Sequence, residues 1–262
     1  MAHVPFWLAN VSSVVLGLIV GSFVNVIVAR MPIGLSIITP GSHCPTCKAR
    51  IRWYDNIPIL SFILLLGRCR ACGAVISFRY PTIEFLTAVL FLATNIRFGW
   101  SALLFIRDWP FVAVLIAITF IDFEHRIIPD IFSIGGVILG LLTAFFVPEL
   151  GLFKAVLGAG LGFCVFYGLA MAYQVFSGRA GLGGGDIKLL AMLGAFLGPS
   201  GVFTTILIGS VLGSIAGIAW AMVTRKKDVM KVSIPFGPFL VTGGIFHYLL
   251  GGFIWLPFMT LI

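Results

Sequence analysis

Long apolar stretches nearly free of charge dominate this chain, and short polar breaks separate them. They cover residues 6–29, 82–96, 104–121, 131–147, 153–176, 189–197, 202–223 and 236–262. Breaks fall at Trp109-Pro110, Pro148-Glu149, Gly183-Gly184-Gly185, Pro199-Ser200-Gly201 and Arg225-Lys226-Lys227. A helix that crosses a bilayer takes about 20 apolar residues. The pattern therefore predicts an all-α polytopic membrane protein with about eight transmembrane helices. Residues 189–197 are too short to cross alone, and they predict a half-buried helix beside a cavity. Residues 31–81 interrupt the pattern with cysteines, prolines and clustered cations, and predict an extramembrane insert between helices 1 and 2. Its apolar patch, 57–66, is expected to form a small core or an interfacial segment. The expected organisation is a first membrane helix at 1–29, an insert at 30–80 and a membrane-embedded domain at 81–262. No internal repeat and no low-complexity tract is visible.

Composition supports that reading. Of 262 residues, 60% are hydrophobic and 10% charged, against about 25% charged in soluble chains. A fold of this length has too little interior to hide so many apolar side chains from water, and disorder requires low hydrophobicity. The first apolar run has no Lys or Arg before it, unlike a secretory signal peptide, and is expected to be a permanent helix with its N-terminus outside.

The net charge of +8, from 17 Lys+Arg against 9 Asp+Glu, would suggest nucleic acid in a soluble protein. Eight crossings sort the cations differently. Seven from Arg30 to Arg79, then Arg126, Arg179, Lys188, Arg225, Lys226, Lys227 and Lys231, fall on one side, which is 14 of the 17. Arg97, Arg107 and Lys154 fall on the other. This asymmetry matches the positive-inside rule and makes the insert cytoplasmic. Attraction to anionic lipid then accounts for the excess without a nucleic-acid partner.

Cys44-Pro-Thr-Cys47 and Cys69-Arg-Ala-Cys72 are paired CxxC turns separated by 21 residues. Two such knuckles can surround one tetrahedral ion, the arrangement of structural Zn2+ sites. Neighbouring Lys48, Arg50, Arg68 and Arg70 would favour the thiolates. Disulfides are the competing reading, disfavoured in a reducing cytoplasm; a redox CxxC is a weaker rival, lacking a βαβ context. His43 reads as a solvated loop residue, and Cys164 as a packing residue.

With nine carboxylates in the chain, those near spans stand out, because ionisable groups at membrane depth are costly and tend to mark function. Asp122 ends the third apolar run, and Asp186 follows three glycines; both fall at the predicted cytoplasmic end of a span. The plain alternatives are an Asp122–Arg126 pair four residues apart and an N-cap role for Asp186. Two aspartates in a partly wet, low-dielectric site can share one proton. The ionised one then activates water while the protonated one donates to a peptide carbonyl. Gly183 and Gly185 would allow positive φ and close approach of a substrate strand.

Gly183-x-Gly185-Asp186 with Lys188 resembles the GxGD motif of intramembrane aspartic proteases. Asp122 with Pro129-Asp130 is similar to the first aspartate motif of type IV prepilin leader peptidases. Gly21-Ser22-Phe23-Val24-Asn25-Val26 with Arg30 and Pro32, the CxxC pair, Arg79-Tyr80-Pro81 to Glu84, and Ile234-Pro235-Phe236-Gly237-Pro238 match further blocks of that family. The resemblance implies a bacterial inner-membrane enzyme that cuts the leader from type IV prepilins or pseudopilins after a glycine at the cytoplasmic face. It makes Asp122 and Asp186 the catalytic pair, without saying which is base. Asp130 is read as a cap on the following helix.

The resemblance also implies N-methylation of the new N-terminal residue with S-adenosylmethionine. No GxGxxG turn is present, and the insert is too small for a doubly wound methyltransferase domain. Cofactor and pilin terminus would then meet elsewhere, at the seam of insert and membrane. Glu84, just inside the second span, is a participant to consider; an ion pair with Arg79 or a satisfied buried acid explains it equally well. Two other readings stay open: a GxGD protease with another membrane substrate and no methylase, and a proton- or metal-coupled transporter. The transporter reading suffers because the acids cluster at one face.

Overall fold

The computed structural model describes residues 4–178, 183–224 and 235–259. Arg179, Arg225, Lys226, Lys227, Lys231 and Ile234, which enter the charge count and one sequence block, lie outside the described residues. Among the described residues, regular structure is helical apart from two isolated antiparallel bridges, His43 with Arg50 and Arg68 with Val75.

The apolar runs become helices α1 (Phe6–Arg30), α3 (Arg79–Phe98), α4 (Trp109–His125), α5 (Asp130–Ala144), α6 (Gly151–Ser177), α7 (Gly184–Thr224) and α8 (Gly237–Met259), with a short α2 (Leu60–Leu64) in the insert. Among the described residues, four helical segments are long and apolar enough to cross a membrane: Phe6–Ile33, Leu104–His125, Gly151–Ser177 and Gly184–Val223. At 15 residues, α5 is about 22 Å long, short of a hydrocarbon core of about 30 Å. The chain divides into two compact units, Met1–Ala117 and Ile118–Ile262, with the boundary inside α4.

In the first unit, α1 packs on α3 through a stripe of small residues. Ala9, Ser13, Gly17 and Gly21 are buried at four-residue spacing. A Cβ on Gly21 would sit 2.7 Å from the Glu84 Cα. Close backbone approach through small residues is how helices associate where lipid offers no hydrophobic drive. The other side of α1 leaves Trp7, Val11, Val15, Ile19 and Phe23 exposed. So long an apolar stripe suits lipid rather than water. Trp109 stacks on Phe91, with ring centroids 4.7 Å apart and planes 7° apart.

The predicted break at Trp109-Pro110 is instead a change of helix type. A π-helical turn at Leu104–Asp108 runs directly into α4, where Pro110 falls in the first turn. Lacking an N–H, Pro110 cannot make the regular α-helical bond to the preceding turn, and the wider π turn stands where that bond is missing.

In the second unit, α7 packs against α5, α6 and α8. It consists of two arms joined at Gly198, whose φ of 71° and ψ of −175° leave the helical region. That conformation is open essentially to glycine alone, and Pro199 follows it. The predicted break in this region is therefore a kink. Residues 189–198 are all buried, which corrects the expected half-burial, while Ala191 does line a cavity between α5, α6 and α7. The crossing partner α6 presents glycine there: Gly158 lies directly on the Gly194 backbone and Gly162 on that of Leu190. Cys164 is exposed on α6, where an interior packing role was expected.

Candidate functional site

Asp122 lies in the last turn of α4, which ends at His125 because Arg126 takes a φ of +56°. The residue is 6% exposed, and Arg126 acts on its carboxylate electrostatically without an ion pair within 4 Å. The Gly237 amide, at the start of α8, donates to its Oδ2 at 3.1 Å. Asp186 sits in the first turn of α7. It is close enough to Asp122 for the two carboxylates to act on each other electrostatically.

Ile128, in the turn between α4 and α5, is the spacer between these elements. A Cβ on Gly185 would meet its Cβ at 3.0 Å, and one on Gly237 would meet its Cδ1 at 3.4 Å. The same added atom on Gly237 would stand 2.6 Å from Asp122 Oδ2. Gly185 is helical rather than left-handed, because α7 begins at Gly184. Its glycine provides room for Ile128, not the positive φ expected from sequence. Gly183 is exposed, precedes the helix, and its carbonyl accepts from the Asp186 amide at 3.1 Å.

Asp130 does not cap α5. Pro129 occupies the cap position and no side-chain capping bond forms. The Asp130 carboxylate instead takes both oxygens to Lys188 Nζ, at 2.7 and 2.8 Å, tying the start of α5 to the first turns of α7. An ammonium two residues from Asp186 draws the acid away from the capping role that local sequence favours. Gly237 and Ile128 have no role visible in the sequence; the glycine-proline after Phe236 was the available signal.

In the first unit, the two CxxC turns are near copies of each other. The Cys44 amide donates to the Ala49 carbonyl at 2.9 Å, and the Cys69 amide to that of Ala74 at 2.8 Å. Lys48 and Gly73 take left-handed φ of 61° and 70° at equivalent places. The sulfurs of Cys44, Cys47, Cys69 and Cys72 all lie within 4.8 Å of one another, and Cys44 Sγ is 3.9 Å from Cys72 Sγ. A tetrahedron of thiolates about 2.3 Å from one ion has edges of roughly 3.8 Å, so this cluster can hold a metal. None of the four is in a disulfide.

The Cys47 and Thr46 amides hold the Cys44 thiol down to about 6. At Cys72 the Ala74 amide also favours the thiolate, but desolvation and the other three sulfurs outweigh it and push the thiol up to about 11. Four sulfurs so close ionise together only around a cation. Beside the knuckles, Arg70 grips Asp55 through two nitrogens, and that guanidinium holds the Asp55 carboxyl below its ordinary value. The insert's apolar patch is no core: Ile63, Leu64 and Leu66 are exposed. Glu84, 7% exposed, accepts the Ile59 amide at 2.7 Å and a bond from Ser22. No cation is among these partners, which removes the expected pair with Arg79.

A strongly apolar helical protein with two electrostatically coupled carboxylates in one unit and a tetracysteine cluster in the other defines a narrow class of membrane proteins. Residues 15–98 match the family described as Bacterial Peptidase A24 N-terminal domain, and residues 109–218 the Type IV leader peptidase family. The chain is 38% identical over 252 residues to the type 4 prepilin-like proteins leader peptide-processing enzyme of Escherichia coli, covering 87% of this chain and 89% of that one. It is 42% identical over 213 residues to the prepilin leader peptidase/N-methyltransferase of Myxococcus xanthus, covering 81% of this chain and 63% of that one. Its Pseudomonas putida counterpart, of the same description, is 36% identical over 272 residues, or 95% and 93% of the two chains. No solved structure matches. The chain belongs to the type IV prepilin leader peptidase family.

Proposed function

We propose that this protein is an inner-membrane aspartic endopeptidase that removes the leader of type IV prepilins or pseudopilins after a glycine, at the cytoplasmic face. The observation that supports this reading is that Asp122 acts electrostatically on Asp186, with Ile128 packed against both Gly185 and Gly237. One ionised carboxylate takes a proton from water; its protonated partner donates to the scissile carbonyl. The pair titrates as a unit, and the two roles belong to it jointly. Gly183 offers an unobstructed backbone edge beside Asp186 for the extended leader junction. Lys188 and Asp130 hold the α7 end that carries Asp186 against the 126–130 turn. Names carried by the relatives support a second activity, N-methylation of the new terminus with S-adenosylmethionine.

The knuckles would hold a structural Zn2+, since four protein ligands leave no open position for chemistry. The charge pattern supports eight crossings with an outside N-terminus. In that arrangement 1–29 is the first membrane helix, 30–80 a cytoplasmic insert and 81–262 the peptidase domain.

The experiment is incubation of the purified protein in proteoliposomes with a prepilin precursor, with and without labelled S-adenosylmethionine. Cleavage at the glycine junction, followed by label on the new terminus, is expected. Processing only of other membrane proteins, without label, would favour a protease of different substrate and no methylase.

Two further outcomes follow from the geometry. Activity should decline as pH rises, because a pair sharing one proton loses its acid when the second carboxyl ionises. A flat cleavage profile up to the denaturing pH would contradict this. Gly237→Ala should lower kcat by about 10–100-fold, since displacing a reacting group by an ångström costs that much. The added methyl lands 2.6 Å from Asp122 Oδ2. An unchanged cleavage rate would show that Asp122 tolerates the shift.

A further inference from the structure

Within the first unit the insert folds back along α1 and α3 instead of standing off from them. The Ile59 amide, at the entry to α2, donates to Glu84 at 2.7 Å. Glu84 lies in the second turn of α3, about 7 Å along the helix from Arg79, where its backbone packs directly on Gly21 of α1. Beside α1, Ile37, Ile38 and Pro40 share a groove with Ile19, Phe23 and Val26. Phe23 is about 10 Å along α1 from Arg30. Both segments therefore reach past the arginines that bound the two helices, to the level of the α1 stripe that faces lipid.

What they present at that level is apolar. Leu60, Ile63 and Leu64 share one face of α2 by their i, i+3, i+4 spacing; they are 49%, 59% and 71% exposed, and Leu66 is 85% exposed. Ile33, Leu35 and Ile38 are exposed on the other segment. Irregular backbone can leave water only where its polar groups are satisfied from within the protein. Arg30 does this for the 36–41 loop, donating to the carbonyls of Ser36, Pro40 and Gly41 at 3.1, 2.7 and 3.3 Å. Glu84 does it for the Ile59 amide. Elsewhere the insert exposes Lys48, Arg50, Arg52 and Arg68, while Asp55, the only acid between Arg30 and Arg79, is held by Arg70.

We infer that the insert is sunk into the cytoplasmic leaflet, with residues 33–38 and 60–66 among the acyl chains and its exposed cations on anionic headgroups; this rests on α1 and α3 crossing the bilayer as proposed above. Interfacial segments bury their apolar face about 5–10 Å into the headgroup boundary, the depth at which Glu84 and the α1 groove hold these two. One partner then matches both features, with acyl chains on the apolar side chains and lipid phosphates on the uncompensated cations. An apolar helix of a protein partner would match the first and leave the second unmatched.

The test uses the full-length protein in liposomes that contain a trace of phospholipid with a photoreactive diazirine on its acyl chain, either phosphatidylglycerol or phosphatidylcholine. Adducts mapped by mass spectrometry should fall in 33–38 and 60–66 as well as on the lipid face of α1, 11–23. Phosphatidylglycerol should label the two insert segments about fivefold more than phosphatidylcholine, the bias of roughly one basic contact, and high salt should remove that bias. Ile63→Asp/Leu64→Asp should lose the adducts at 60–66 and keep those on α1, with metal content and melting temperature in detergent unchanged. Label on α1 without label in both insert segments would overturn the inference and leave the spans intact; absence of label from α1 as well would overturn the crossing beneath it. Equal labelling by the two lipids would overturn the anionic contact. Loss of the 60–66 adducts when uncleaved prepilin is bound to the Asp186→Asn protein, or crosslinks between chains through 60–66, would make a protein the occupant and overturn the lipid one.

Discussion

Asp122→Asn and Asp186→Asn are each expected to reduce leader cleavage by about 10²–10⁴-fold, the usual contribution of a positioned acid or base. Asparagine keeps the shape of the side chain, and at position 122 its carbonyl oxygen can still accept from the Gly237 amide, now 3.1 Å from the carboxylate. It cannot share a proton. The loss should therefore fall on kcat, with substrate affinity and melting temperature little changed. Because the two carboxylates act as one unit, the double variant should be hardly worse than either single one. Quantified cleavage of a prepilin in proteoliposomes measures all three. Near-normal cleavage in both single variants would remove the pair from the mechanism and leave Glu124 or Asp130 to be considered.

Loss of metal should be the second large effect. Structural zinc sites in small domains supply about 10–16 kcal/mol of apparent folding free energy, and residues 43–76 have little else to hold them. Their regular structure is a 3-10 turn at Trp53–Asn56, the short α2, two isolated bridges and an Arg70–Asp55 clamp on the surface, and a surface pair contributes little. In Cys44→Ser/Cys47→Ser, zinc measured by mass spectrometry should fall from one per chain to none. Limited proteolysis should then cut within 43–76, with 130–178 still protected. Unchanged metal content would refute these ligands, and an intact insert without metal would show that local hydrogen bonds suffice.

Much of this protein is legible in local sequence. Apolar runs of span length become helices because every backbone group in lipid must be satisfied within its own segment. The matched CxxC spacing brings four sulfurs together because each knuckle closes within a few residues, and the approach of one knuckle to the other needs only a short chain. The insert's apolar patch could not be placed from sequence alone: Ser61, at its centre, is buried while Leu64 and Leu66 are exposed.

Relations between distant residues were a different matter. Pro129-Asp130 reads locally as the start of a helix with a capping acid, yet Lys188, 58 positions away, claims that carboxylate. Gly185 reads as a residue of unusual φ, but it is helical and makes way for Ile128. Gly237, 115 positions from Asp122, carries no local mark of the hydrogen bond it supplies. The short run 189–197 looked marginal by length and is fully buried, because α6 offers it glycines. The sequence by itself determined the helical class, the membrane solvent, the cysteine cluster and the family, since each depends on composition or on spacings within a few turns. Tertiary structure decided which groups touch the carboxylates, Gly237 at Asp122, Lys188 at Asp130 and the Ile59 amide at Glu84. Those contacts are chosen by packing between helices far apart in the chain, where no local periodicity carries the information.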